Sequence, residues 1–325
     1  MARDEEQPSL FELPPRTLEA APEPAEHRAL REQLAAGLRL GTMSWSFPGW
    51  RGSVYAESAD PKLLSEAGLT AYSKHSLLGA VEIDRSFYEP LPARYFESVS
   101  AQVPHDFRFL VKAHEELTMP RFPKHPRYGK KQDTDSARFL DPIYASEAVV
   151  GPALAGLGEK LGAIVFQFSP QDASEPLRFA ERLGRFLQGL PRAATYAVEL
   201  RNPELLTPTY ADALASAGAV HAHNVWGTMP PVLQQARLIP PVARKPLIVR
   251  WLMRRGDDYE GARSRFLPFS RLVEPDLNNR RDVATLIAKA LAHQVPAFVV
   301  VNNKAEGSAP ASIVELAKSI VASRV

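Results

Sequence analysis

The sequence predicts a single α/β domain folded as a TIM (β/α)8-type barrel, with a mobile N-terminal tail. Short apolar runs alternate with helix-like stretches along the chain, which is typical of a parallel sheet covered by helices. Eight such units favour a closed barrel over an open sheet. Run after run ends in polar or charged residues, although an unpaired buried charge costs several kcal/mol. We therefore expect these ends to converge on the C-terminal face of a barrel, where barrel enzymes carry their active sites.

The predicted strands are the apolar runs themselves. They cover residues 39–46, 79–83, 107–113, 162–168, 194–200, 219–222, 247–252 and 297–301. Helical stretches separate them, and the first begins with Asp60 and Pro61, which favour an N-cap followed by a first-turn proline. The predicted helices are 59–77, 92–102, 176–190, 203–217 and 310–322. Long polar segments at 115–145 and after the seventh strand, to about residue 278, are predicted as functional loops.

Composition limits the class of protein. The 325 residues suffice for a barrel of about 250 residues plus a tail and long loops. The chain has no cysteine, which excludes disulfides, thiolate metal sites and a cysteine nucleophile. No apolar run approaches the ~20 residues that span a membrane, and the N-terminus lacks the apolar core of a signal peptide. We expect a cytoplasmic protein without a membrane partner.

The N-terminal region differs from the rest of the chain. Residues 1–37 are rich in proline and acidic residues, which predicts a mobile tail with a short helix at about 26–36, while 38–325 form the barrel domain. Gln7, Leu10 and Phe11 match the Gln-x-x-Leu-Phe pattern by which bacterial DNA repair and replication proteins bind the sliding clamp. The tail therefore predicts the DNA sliding clamp as a partner. The alternative is that the Leu-Phe pair packs against its own barrel.

Six motifs occur in order from about residue 39 to the C-terminus: GTMSWSFPGWRGSVY, VEIDRSFYEPLP, FRFLVKA, GAIVFQFSP, AVELRNPE and VVNNKAEGSAP. Together they resemble the domain of unknown function 72 family. The resemblance implies a TIM barrel and implies no established reaction. Three positions depart from the family pattern. Leu252 and Met253 stand where many relatives have His-Gly, and Lys304 stands where many have an acid, which weakens any metal site built on those residues.

Charged strand ends supply the catalytic candidates. Glu82 and Glu199 lie on nearly opposite strands and could be a general acid and base. Alternatively, each simply pairs with a neighbouring cation. Lys112 and Arg201 are the other catalytic candidates, and with Arg250 they place three cations around the mouth. Three cations against two acids favour an anionic ligand, with charge balance as the alternative.

The candidates for substrate binding surround these charges. They are Trp45, Tyr88, Gln167, His223, Arg250, Asn302 and Asn303. The aromatic side chains could stack on a ligand or merely pack the top of the barrel. The two asparagines precede the last helix, where Ser308 is a predicted N-cap and free backbone amides would bind an anion.

Histidines allow a metal site without predicting one. His114, His221 and His223, together with Glu82 and Glu199, carry suitable ligand atoms for a divalent metal. There is no HExxH-type spacing, and a histidine at a strand end is more often a hydrogen-bonding residue. We therefore identify no cofactor, and the metal remains unknown.

The loop after the third strand is basic. Arg121, Lys124, Arg127, Lys130 and Lys131 lie within residues 119–132, which contain no acid. Basic residues interleaved with aromatic ones suit a phosphate backbone and unstacked bases, so these five are candidates for nucleic-acid binding. The alternative is a solvated loop.

Three functions stay open at this point. The first is an enzyme, such as a hydrolase, acting on an anionic, phosphate-containing substrate that includes nucleic-acid phosphodiesters. The second is an enzyme for a small sugar phosphate or carboxylate that uses Glu82 and Glu199. The third is a non-catalytic, DNA-associated adaptor that binds the clamp. Fold alone cannot choose among them, because TIM barrels host many chemistries.

Overall fold

The computed structural model of the protein describes residues 18–254 and 256–323. Eight parallel strands follow one another in chain order around a closed barrel, and the last pairs with the first. The predicted (β/α)8 barrel is confirmed. The strands are β1 Leu38–Thr42, β2 Ala80–Ile83, β3 Arg108–Lys112, β4 Leu161–Gln167, β5 Tyr196–Glu199, β6 Val220–Val225, β7 Leu247–Trp251 and β8 Ala297–Val301.

Helices cover the outside of the barrel and its lower end. They are α1 Ala25–Gln33, α2 Pro61–Tyr72, α3 Ala93–Ser100, α4 Pro142–Ala145, α5 Gly151–Leu157, α6 Pro176–Gln188, α7 Pro208–Ala217, α8 Val232–Leu238, α9 Tyr259–Phe266, α10 Leu277–Ala292 and α11 Ala309–Ala322. The predicted start of α2 is correct, since Asp60 Oδ1 accepts hydrogen bonds from the amides of Lys62 and Leu63 at 3.0 Å each.

Several predicted boundaries were wrong. The first strand ends at Thr42 rather than at residue 46, and α2 ends at Tyr72 rather than at residue 77. The helix predicted at 203–217 is a 3-10 turn, Pro203–Leu205, followed by α7, because Thr207 caps a new helix at the amide of Tyr210. The sixth strand was predicted to end at Ala222, but β6 continues to Val225. Its alternating polar residues, one of them His223, hide the strand in the sequence. The long loop predicted after β7 contains α9.

Strand alternation sends the charged residues into the barrel. The barrel interior is lined by small and aliphatic residues that include Ala80, Leu110, Ala197 and Ile248, whereas their strand neighbours pack against the helices. Side chains two positions apart on a strand share a face. The residues that follow this inner layer therefore point inward too, at the upper end. They are Glu82, Lys112, Gln167, Glu199 and Arg250.

The segment before β1 contacts the barrel. The amide of Ala21 donates to Val54 at 2.9 Å, and the amide of Ala56 donates to Glu19 at 3.0 Å. Residues 18–37, which include α1, are thus attached, whereas we predicted a mobile tail up to residue 37. Gln7, Leu10 and Phe11 lie outside the described residues. Among the helices of the described ranges, none has the length and apolar content to cross a membrane.

Candidate functional site

A cavity of about 690 Å³ opens at the C-terminal ends of the strands. This volume lies in the range of small-molecule sites. Nine of the predicted site residues line it: Glu82, Tyr88, Lys112, Arg127, Gln167, Arg201, Arg250, Asn302 and Asn303. Asp84, Trp226, Tyr128 and Tyr259 also line it, although they were not among the candidates.

Arg250 is the centre of a buried ion network at the floor of the cavity. Its guanidinium donates to Glu82 through Nη2 at 2.6 Å and Nε at 2.8 Å. Its Nη1 donates to Glu199 and, at 3.3 Å, to Gln167. Both glutamates are fully buried, and Glu199 does not line the cavity. Both carboxylates are thus held by Arg250, which is the arrangement expected if they balance its charge rather than exchange protons with a substrate.

Arg201 joins this network to the cavity. Its Nε donates to Glu199 at 3.1 Å, and its Nη2 donates to Gln167 at 2.9 Å. The guanidinium stacks on the ring of Trp226, 3.9 Å from its centre. Burial lowers the pKa of Arg201 to about 10, so the group stays charged at neutral pH. Its Nη1 has no hydrogen-bond acceptor among the described residues and is available to a ligand.

Lys112 and Asp84 form a second ion pair, nearer the cavity. Nζ of Lys112 donates to Oδ1 of Asp84 at 2.8 Å and lies 3.8 Å from the centre of the Phe87 ring. Burial lowers the pKa of Lys112 against the opposing attraction of Asp84. Burial acts to raise the pKa of Asp84, but Lys112, helped by Arg250 and Arg201, outweighs it and leaves that pKa below its usual value. Asp84 is therefore an ionised carboxylate beside a lysine ammonium that is more acidic than an exposed one.

The charges of the floor balance. Lys112, Arg201 and Arg250 face Glu82, Glu199 and Asp84. From the sequence we expected three cations against two acids, and the carboxylate of Asp84 removes that excess of positive charge. The sequence could have indicated this third acid, since Asp84 stands two residues after Glu82 in the VEIDRSF motif. Trp226 was missed because it follows the hidden end of β6.

Two predicted site residues lie elsewhere. Trp45 donates its indole N–H to the backbone of Ser65 in α2 and packs between the sheet and the helices. His223 does not line the cavity, because its face of β6 points toward the helices. On that face Nδ1 of His221 forms a hydrogen bond with the hydroxyl of Tyr210 in α7 at 3.0 Å, and its Nε2 forms one with Oε1 of Gln235 in α8 at 3.2 Å.

The histidines considered for a metal site at the mouth are separated. Nδ1 of His114 forms a hydrogen bond with the hydroxyl of Tyr144 at 2.8 Å, while the rings of His221 and His223 make an edge-to-face contact behind the sheet. Burial lowers the pKa of His221 to about 4 and that of His223 to about 3. Among residues 18–254 and 256–323, the mouth contains no group of three side chains with metal-binding geometry.

The start of α11 is closed by a side chain. Oδ1 of Asn303 accepts from the amide of Ala309 at 2.8 Å and from Nε1 of Trp50 at 3.1 Å. Ser308 is the N-cap residue, as predicted, but its side chain makes no capping hydrogen bond. The side chain of Asn303 therefore accepts the hydrogen bond of a backbone amide that we expected to bind an anion. Asn302 is folded back likewise, and its Oδ1 accepts from the amide of Lys304 at 3.0 Å.

The basic loop forms one wall of the mouth. Arg127 lies over the rings of Tyr88 and Tyr128, 5.1 Å and 4.6 Å from their centres, and pairs with Glu115. Arg121 pairs with two aspartates and Lys131 pairs with Glu116, whereas Lys124 and Lys130 are exposed. The acids that neutralise this loop lie just outside its basic stretch in the sequence. The loop is therefore less positively charged in the folded protein than its sequence alone indicates.

Solved structures with this architecture exist. A DUF72 family protein from Enterococcus faecalis V583 matches with a TM-score of 0.57 and 17% identity, over 87% of this chain and 95% of the other. One from Thermotoga maritima MSB8 matches with a TM-score of 0.56 and 18% identity, over 86% and 98%. At these identities the likeness shows the fold alone.

A curated relative is closer in sequence but over a shorter stretch. The UPF0759 protein YunF of Bacillus subtilis (strain 168) is 32% identical over 132 residues, which are 40% of this chain and 39% of that protein. The family described as "Protein of unknown function DUF72" matches residues 39–324, nearly the whole barrel. The chain therefore belongs to the DUF72 family.

Proposed function

We propose that this protein is an enzyme that binds a phosphate-containing substrate at the barrel mouth and transfers protons with Asp84 and Lys112. The observation that carries the proposal is a surplus of hydrogen-bond donors at a charge-neutral floor. Lys112 uses one of its three N–H donors on Asp84, and Nη1 of Arg201 has no acceptor among the described residues. Donors directed at a cavity favour a ligand rich in oxygen acceptors, such as a phosphate.

The two members of the ion pair suit different roles. The low pKa of Asp84 keeps it ionised at neutral pH, as a general base must be. The lowered pKa of Lys112 makes it a better proton donor than an exposed lysine. Both pKa values are shifted downward, so the pair combines an ionised carboxylate with a lysine ammonium that gives up its proton more readily. For phosphoester hydrolysis, a water would attack phosphorus and give its proton to Asp84. The P–O bond to the leaving group would break, and Lys112 would give a proton to the leaving oxygen. The proton on Asp84 would then return to Lys112, which restores the ion pair.

The buried network supports this pair from below. Arg250 donates hydrogen bonds to both glutamates, so these three charges have fixed positions beneath the cavity and create a fixed electrostatic field there. Glu199 also accepts a hydrogen bond from Arg201 and so orients that side chain. Preorganised charges of this kind are worth more than flexible ones, because they need not rearrange during the reaction. This support role replaces the acid–base role that the sequence suggested for Glu82 and Glu199.

The experiment is a hydrolysis screen with p-nitrophenyl phosphate and bis-p-nitrophenyl phosphate as probes. We expect activity toward at least one probe and a loss of about 100-fold or more in Asp84→Asn and Lys112→Met. The matched control is Arg108→Met, at the other end of β3, which should keep wild-type activity. Variants as active as the wild type, or a wild type that neither cleaves nor binds either probe, would overturn the proposal.

A small sugar phosphate is the second candidate substrate. The aromatic lining supports it, because Phe47, Phe87, Tyr88, Tyr128 and Trp226 surround the neutral floor and sugar faces stack on such rings. Competition separates the two substrates. An oligonucleotide that inhibits better than a mononucleotide favours nucleic acid, whereas inhibition by hexose phosphates alone favours the small molecule.

A further inference from the structure

A cluster of metal-binding side chains lies away from the mouth, at the lower end of the barrel. Glu23 precedes α1, His27 belongs to α1, and His75 lies between α2 and β2. One carboxylate oxygen and one nitrogen from each ring all lie within 4.8 Å of one another. Two distant parts of the chain thus bring three ligand atoms together.

The distances approach those of a bound ion. Oε1 of Glu23 is 3.4 Å from Nδ1 of His75 and 3.9 Å from Nδ1 of His27. In a tetrahedral zinc site with bonds of about 2.0–2.1 Å, neighbouring ligand atoms are about 3.3 Å apart. The first pair is close to this separation, the second is about 0.6 Å longer, and the two ring nitrogens lie within 4.8 Å of each other. Nδ1 of His75 accepts a hydrogen bond from the amide of Leu77 at 3.3 Å, which an ion at that nitrogen would replace.

The surroundings hold the ligands in place. The amide and the hydroxyl of Ser76 donate to Oε1 of Glu23 at 2.8 Å and 2.7 Å, which fixes the carboxylate. Such supporting bonds to a ligand carboxylate are typical of protein metal sites. Nδ1 of His27 is buried and has no hydrogen-bond partner among the described residues. A buried ring nitrogen without a partner is costly unless something binds it.

We propose that Glu23, His27 and His75 bind one Zn²⁺ ion, which fastens the segment before β1 to the lower end of the barrel. Two imidazoles and one carboxylate suit zinc and neighbouring transition metals, whereas calcium and magnesium prefer all-oxygen sites. Water would complete the coordination.

The ion would act as a cross-link. The segment is otherwise held by backbone hydrogen bonds such as the one from Ala21 to Val54. Because the ligands come together only in the folded chain, an ion bound there stabilises the folded state in proportion to the logarithm of its concentration. This role is independent of the chemistry at the mouth.

The test uses the full-length protein, stripped with EDTA and titrated with ZnCl2 by calorimetry and in thermal melts. We expect one equivalent bound per chain and a rise in melting temperature. His27→Gln and Glu23→Gln should each weaken this binding by at least tenfold and remove the rise. His105→Gln is the matched control, since it removes a histidine from an exposed pair with Glu159 and should change neither result.

Cobalt gives an independent readout. Co²⁺ bound by these three residues should show the intense visible absorption of a four-coordinate ion in the wild type, and should lose it in His27→Gln. The proposal is overturned if the wild type binds no stoichiometric zinc. It is also overturned if both variants retain the ion, or if His114→Gln at the mouth removes it instead.

Discussion

Arg250, inside the barrel, and Arg121, on the basic loop, each bind two carboxylates. Arg250 holds Glu82 and Glu199, and its side chain is 1% exposed while both carboxylates are 0% exposed. Arg121 holds Asp133 and Asp135, and its side chain is 54% exposed. The number of ion pairs is the same. The solvent around them differs.

The comparison shows that burial decides the worth of an ion pair. An exposed pair contributes about 0–1 kcal/mol, because water solvates its charges almost as well when they separate. In a buried network, removal of one member leaves charges that neither water nor protein compensates. The inner arginine is therefore part of the structure of the site, whereas the outer one is available to a partner at little cost.

The largest effect is expected from Arg250→Met. Glu82 and Glu199 would be left buried without a cation, so the free energy of unfolding should fall by about 3–5 kcal/mol in urea titrations. The matched change Arg121→Met should cost less than about 1 kcal/mol. Adding Glu82→Gln and Glu199→Gln to Arg250→Met should restore part of the loss. Equal losses in the two single variants would break the comparison.

The next effect comes from histidines behind the sheet. The folded pKa values of His221 and His223, about 4 and about 3, lie below the usual 6.5. Between these values the unfolded chain binds protons that the folded chain does not, so stability falls as the pH drops from 6.5 toward 4. The slope is at most about 1.4 kcal/mol per pH unit for each histidine.

His223→Leu sharpens this prediction, because it removes one of the buried titrating histidines and should reduce the slope by up to about 1.4 kcal/mol per pH unit. Urea titrations between pH 7 and pH 4.5 measure it. The exposed His105→Gln should leave the slope unchanged. A wild-type stability that stays flat over this range would show that the buried rings already accept protons there.

A smaller effect is expected on the basic loop, and only on binding. If the loop binds nucleic-acid phosphates, the double variant Lys124→Gln with Lys130→Gln should weaken the salt dependence of affinity for a single-stranded oligonucleotide. The slope of log K against log salt concentration should become less steep by about 0.7 for each phosphate that the variant no longer neutralises. Arg121→Gln with Lys131→Gln should flatten it less, because acidic partners already hold those two cations. Fluorescence anisotropy at several salt concentrations measures both. Absence of binding at low salt would leave the small-molecule substrate as the better choice.

The smallest effect on the barrel is expected from Leu10→Ala with Phe11→Ala. If the Gln7, Leu10 and Phe11 motif is a clamp ligand, the double variant should lose binding to purified sliding clamp in calorimetry, since the two apolar side chains would fill the partner's groove. Melting temperature and activity at the mouth should stay the same. An intact protein that does not bind the clamp would remove this partner.

Much of the fold follows from local sequence patterns. The run at 297–301 became β8 without change, and Asp60 with Pro61 marks the start of α2. Both signals depend only on neighbours along the chain. β6 was cut short because its polar residues break the apolar run, and their partners, Tyr210 and Gln235, come from separate helices. No local pattern contains those interactions.

The same division holds for the site. The sequence by itself determined that charged side chains at the strand ends point into one mouth, because alternation along a strand and a common strand direction are local and additive rules. Only the tertiary structure decided how those charges pair. In the folded protein Arg250 lies between Glu82 and Glu199, and Lys112 forms an ion pair with Asp84. Charges on separate strands choose partners by distance and desolvation in three dimensions, which composition and spacing do not contain.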